Sequence, residues 1–98
     1  MNENAELPPL TRSCLDAATL EALLDDLSSL TEILEVTVKG GQFDRSEKTC
    51  LALRPAVKAL QAGLVRGVQI RYLWHQEQWL DTLLVGRDGI RIVRIQVS

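Results

Sequence analysis

Between Ser13 and Leu30 the apolar positions recur every three or four residues. Leu20, Leu23, Leu24 and Leu27 fall on one helix face, while Glu21, Asp25 and Asp26 fall elsewhere. The pattern predicts an amphipathic helix of about four turns, started either by Ser13 with Asp16 as a capping box or by Asp16 itself. The period then drops to two. In "EILEVTVKGG", Leu34, Val36 and Val38 alternate with Glu35, Thr37 and Lys39 before Gly40-Gly41, which predicts a strand with one buried face. "QFDRSEKTC" is polar and loop-like, with Phe43 as its one anchor. "RPAVKALQAG" reads as a second helix with Pro55 at its first position, Gly63 as its stop, and Val57 and Leu60 facing inward. Residues 46–53 either extend that helix, as the spacing of Cys50, Leu53, Val57 and Leu60 favours, or form a short strand, because Pro55 biases Arg54 toward an extended backbone.

The last third is β-rich. "VQIRYLWH", "QWLDTLLV" and "IRIVRIQV" are joined by "QE" and "GRDG", connections short enough to demand antiparallel neighbours. The expected fold is α+β, with two helices packed on one face of a mainly antiparallel four-stranded sheet, in the order α-β-α-β-β-β with a C-terminal meander. Residues 1–12, with Pro8-Pro9 and no periodicity, are expected to form a flexible arm, and residues 13–98 a single domain. Opposing Trp74 to Trp79 across the first turn also pairs Tyr72 with Asp81, Ile70 with Leu83 and Val68 with Val85. Opposing Val85 to Ile90 across the second pairs Leu83 with Ile92, Asp81 with Arg94 and Trp79 with Gln96. One face then ends in Tyr72, Trp74, Trp79, Asp81 and Arg94. The other mixes Gln69, Arg71, Thr82 and Arg91 with Leu73, Leu80, Leu84, Val93 and Ile95, too apolar for a wholly solvated surface.

Composition changes this picture little. At 98 residues with 46% hydrophobic positions, the chain suffices for one cored domain without staples. No run approaches the roughly 18 apolar residues that span a bilayer, and the N-terminus lacks a signal-peptide pattern, so a soluble, cytoplasmic protein of bacterial type is expected, with no membrane association. Cys14 and Cys50 have no C-x-x-C spacing and are expected as buried thiols. Charge is informative in its distribution. Residues 1–44 carry Arg12 and Lys39 against nine carboxylates, and residues 45–98 carry nine cations against four, so the halves of the domain, or two copies of it, attract each other.

Candidate chemistry is sparse. His75 is the only histidine and sits at a predicted hairpin end, so no His-based metal cluster exists, and no cofactor is expected. "VKGGQFDRSEK" lacks the spacing of a phosphate loop, "VGRDGI" reads as a turn, and Asp25-Asp26 lie on a solvated helix side, so no enzymatic activity is expected. Tyr72, Trp74, Trp79, Asp81 and Arg94 are the candidate partner-binding residues, because Trp, Tyr and Arg bury large areas while keeping a polar handle. The expected function is a protein-interaction domain that binds a protein partner or itself through the C-terminal sheet. The alternative is a nucleic-acid or anionic-ligand binder using Arg71 and Arg91, which the acidic overall charge and missing RNP-like pattern disfavour for nucleic acid.

Overall fold

A computed structural model describes residues 12–40, 52–87 and 89–97. Its elements are β1 (Arg12–Leu15), α1 (Ala17–Leu30), β2 (Glu32–Lys39), α2 (Leu53–Gln61), β3 (Gly67–Trp74), β4 (Glu77–Gly86) and β5 (Gly89–Gln96). The class is α+β as expected, but the sheet has five strands, all antiparallel, in the order β1-β5-β4-β3-β2. The extra strand lies where the first turn of a longer helix was expected. Leu15 pairs with Ile90 and is buried, so residues 12–15 gain sheet pairing while Leu15 gains core burial. Of the expected arm, Arg12 belongs to β1 and residues 1–11 lie outside the described residues.

Asp16 then caps α1. Its side chain accepts the Thr19 amide at 2.7 Å, which satisfies one of the donors a helix start leaves open, and hydrogen bonding from the Thr19 side chain and then from its amide holds the carboxyl below its ordinary range. Ser13 is therefore not the cap. The four predicted leucines are all buried, and the Thr31 hydroxyl closes the far end by donating to the Leu27 carbonyl at 2.7 Å. β1 and β2 are opposite edges of the sheet. A 14-residue helix of about 21 Å is long enough to carry the chain across four inter-strand spacings of about 4.8 Å each.

β2 departs from simple alternation. Val36 and Val38 are buried as predicted, but Leu34 is 40% exposed, because the register with β3 shifts between Ile33 and Glu35. Leu34 is the extra residue of a bulge, and Ile33 takes its place against the core. α2 begins at Leu53, so Pro55 stands third in the helix. The proline's missing amide is still among the first four that lack an intrahelical acceptor. The helix ends in a Schellman pattern: Gly63, at φ +81°, donates to Leu60, and Leu64 donates to Ala59. Cys50, Phe43 and most of residues 46–53 lie outside the described residues.

The acidic side of α1 meets α2 through Arg54, whose guanidinium donates to Glu21 and Asp25 at 2.5 Å each. Part of the charge asymmetry along the chain is thus satisfied within the domain. Both helices cover one face of the sheet. Leu20, Leu23, Leu24, Leu27, Val57 and Leu60 pack there against Val36, Val38, Val68, Ile70, Leu83 and Ile92.

Candidate functional site

The β3–β4 turn falls one residue earlier than expected, at His75-Gln76, where both residues take positive φ (53° and 67°) as a two-residue type I′ turn requires. Trp74 therefore pairs with Glu77, Tyr72 with Trp79, Ile70 with Asp81 and Val68 with Leu83. Moving a two-residue turn by one position shifts the pairing by two, which preserves which side chains share a face. The β4–β5 register is the expected one, with Asp81 opposite Arg94 and Trp79 opposite Gln96.

This register assembles a buried polar triad on the helix-covered face. Asp81 accepts Tyr72 Oη at 2.9 Å and Arg94 Nε at 2.8 Å on Oδ1, and Arg94 Nη2 at 2.8 Å on Oδ2. Tyr72, Asp81 and Arg94 are 1%, 0% and 4% exposed. The two-point Arg–carboxylate contact is the geometry in which such a pair is strongest. The Arg94 guanidinium carbon also lies 6.0 Å from the Tyr72 ring centroid. Burial drives the Tyr72 phenol well above its ordinary value, Asp81's charge adds to this and Arg94 partly opposes it. For Arg94, burial acts to lower the pKa. Hydrogen bonds to Asp81 and the charges of Asp81, Tyr72 and Asp26 outweigh it, so the group is held above its ordinary value.

Tyr72, Asp81 and Arg94, expected as partner-binding residues, are thus buried within the chain's own core. Trp74 and Trp79 are half-buried against the core, edge to face at 6.0 Å between ring centroids. Trp79 Nε1 is buried with no hydrogen-bond partner among the described residues. His75 is exposed and stacks on Trp74 at 4.2 Å. The hairpin end is thus a half-buried rim of the core.

Among the described residues no element covers the opposite face. Three rows cross it in register: Glu35, Arg71, Leu80, Ile95; then Thr37, Gln69, Thr82, Val93; then Lys39, Gly67, Leu84, Arg91. Leu84 and Ile95 are 41% and 50% exposed, and Leu73, Leu80 and Val93 are half-buried. Sequence reasoning had placed these residues on the second face but had chosen the aromatic end for the site. Cys14, expected to be buried, is exposed on β1 opposite Arg91 and so belongs to this face. Arg71 and Arg91 are both exposed here, but they stand two strands and two rows apart, and the aromatic rings project from the other face. Cations and rings do not form one stacking platform.

A cleft of about 430 Å³ on the helix side, between the start of α1, the end of α2 and the β4–β5 turn, is lined by apolar groups with Asp16 as its titratable one. That carboxylate is committed to capping α1. Among the described residues no three His, Cys, Asp or Glu side chains converge on a metal position, and no helix is long and apolar enough to cross a membrane. Comparison with known protein families, with curated protein sequences and with solved structures gives no match to this chain.

Tyr72 permits a sharp test, because it is the only tyrosine. The folded state holds the phenolic proton above the ordinary value of 10.0, while the unfolded chain releases it there. Stability from this group is therefore complete below pH 10 and declines as pH rises beyond it, by about 1.4 kcal/mol per unit at most. Urea midpoints measured from pH 8 to 11 are expected to fall more steeply for the wild type than for Tyr72→Phe. At neutral pH the variant is expected to lose about 1.5–3 kcal/mol, the range for a hydrogen bond to a charged group.

Proposed function

We propose that this chain is a small, non-enzymatic, cytosolic interaction domain that binds a protein partner through the open face of its C-terminal meander. The observation that carries the reading is a contiguous apolar patch on β3, β4 and β5, made by Leu73, Leu80, Leu84, Val93 and Ile95, on the side of the sheet away from both helices. Solvent-facing sheet surfaces usually alternate to polar residues, and a patch of this kind framed by charges resembles the apolar centre and polar rim of a protein interface. Here Glu35, Lys39 and Arg71 frame one side and Arg91 the other.

In this reading the buried triad has a supporting role. It ties β3, β4 and β5 together in one register and so keeps the open face flat and fixed. The anionic-ligand alternative, through Arg71 and Arg91, has less support, because those side chains are separated on the sheet and Arg71 is registered beside Glu35.

Leu84→Glu and Ile95→Glu, each placing a charge in the patch, are expected to abolish association with any protein partner while circular dichroism and cooperative unfolding remain those of the wild type. Trp74→Phe is expected to leave association intact. Loss of binding in Trp74→Phe together with its retention in Leu84→Glu would return the site to the aromatic hairpin and overturn this reading.

A further inference from the structure

We propose that the occupant of the open face is a second copy of this chain, packed sheet to sheet about a two-fold axis that runs across the strands along the row Thr37, Gln69, Thr82 and Val93. The inference rests on the interaction-face reading and identifies its partner.

The edges of the sheet disfavour strand-to-strand pairing of two copies. β2 is an outer strand with a bulge at Leu34 and with Glu32, Glu35 and Lys39 along it, and β1 is only 4 residues long. Both are the devices by which sheets resist edge-to-edge growth. Association of two copies is thereby directed to the face.

The charges on the face then select an axis. Rotation about the middle row places each residue of the Lys39 row over the residue of the same strand in the Glu35 row of the second copy. Lys39 meets Glu35, Leu84 meets Leu80, Arg91 meets Ile95, and Gly67 meets Arg71. Glu35 then lies between Arg71 of its own chain and Lys39 of the other. Gly67 and the Leu84 side chain that leans over it border a depression of about 300 Å³ on this face. A two-fold axis along β4 would instead bring Lys39 toward Cys14. Of these two axes, the one across the strands sets Lys39 over Glu35.

Size is compatible. Four strand spacings of about 4.8 Å and eight residues at about 3.3 Å each give a face of about 500 Å² when drawn flat, before side-chain relief is counted. Casual contacts cover less than about 400 Å² per molecule and a standard interface about 800 Å². Sheets that pack this way cross at about 30°, which keeps pairs near the axis in register and lets the corners diverge.

Sedimentation equilibrium of the full chain tests the proposal. The wild type is expected to sediment as two chains and Leu84→Glu as one, with circular dichroism confirming that both are folded. Lys39→Glu sets carboxylate against carboxylate and is expected to weaken self-association by about tenfold or more, since like charges juxtaposed across an interface cost several kcal/mol. Adding Glu35→Lys to it restores opposite charges, and the double variant is expected to recover self-association. A wild type that remains monomeric at about 100 μM, where a pair with a Kd of that size would be half associated, overturns the second copy. A dimer that survives Leu84→Glu overturns the face, and a double variant no tighter than Lys39→Glu overturns the axis. A monomeric wild type whose association with a different, purified protein is lost in Leu84→Glu would remove the second copy alone and leave the interaction face standing.

Discussion

Asp81→Ala is expected to lower the stability of the domain by about 3–5 kcal/mol, because it leaves a buried guanidinium without its carboxylate. Arg94 is 4% exposed and loses two hydrogen bonds at 2.8 Å, and the Tyr72 hydroxyl loses its acceptor in the same step. The loss is large against the 5–15 kcal/mol by which domains of this size are typically stable. Urea unfolding followed by tryptophan fluorescence measures it directly. Asp81→Leu combined with Arg94→Met and Tyr72→Phe is expected to recover most of the loss, since a buried ion pair exchanged whole for apolar groups is often neutral. A cost below about 1 kcal/mol for Asp81→Ala, the scale of an exposed pair, would mean that the triad is not buried as described. The triad is thus a specifying device more than a source of net stability: shifting β5 along β4 by one pair on the same face would separate Asp81 from Arg94 and break their two-point contact.

Leu83→Ala is expected to cost about 2–5 kcal/mol, the range for emptying a fully buried leucine position. Leu83 is 0% exposed at the centre of β4, registered with Val68 and Ile92. Its neighbour Leu84 points to the open face at 41% exposure, so Leu84→Ala is expected to change stability by no more than about 0.5 kcal/mol. Both are to be measured at protein concentrations low enough to keep copies apart, so that lost association does not enter the comparison. Two adjacent leucines with opposite outcomes test the sheet's facing. Equal costs would mean that something within the chain covers the open face as well.

Much of this arrangement was legible in the sequence because side-chain parity is robust. The period-two runs of the last three strands assign Tyr72, Asp81 and Arg94 to one face, and that assignment survives the misplaced first turn because the error shifts pairing by an even number of residues. The turn itself was hard to place. His75-Gln76 is not one of the Asn-Gly, Asp-Gly or Gly-Gly pairs that mark a type I′ turn, and the pairing of the flanking strands and the stacking of His75 on Trp74 that accompany it are not local information.

β1 was missed for a related reason. Four residues are too few to establish a period, and the long-range partner that makes them a strand, β5, lies at the other end of the chain. A signal was nevertheless present. Leu15 is five residues before Leu20 and falls off the stripe of Leu20, Leu23, Leu24 and Leu27, so a helix begun at Ser13 would have left it facing away from the core. Gly89 was another: at φ +130° it lies beside β1, and a Cβ there would sit 3.1 Å from the Leu15 carbonyl. Leu34 was misassigned because a bulge changes phase without changing composition.

Burial is the property of the aromatic cluster that the sequence leaves open. Aromatic and arginine side chains mark both interface hot spots and satisfied cores, and sequence does not distinguish them when the covering helix is distant in the chain. Once the helices are seen on the triad's side, the exposed aliphatic residues on the other side become the unexplained surface.

Whether the open face or the aromatic hairpin is the interacting surface is decided most directly by amide and indole chemical shifts of the isotope-labelled chain, followed as its concentration rises. Concentration-dependent shifts are expected at Leu80, Thr82, Leu84, Val93 and Ile95, with the Trp74 and Trp79 indole signals unmoved. Shifts confined to the two indoles and to His75 would contradict the assignment of function to the open face.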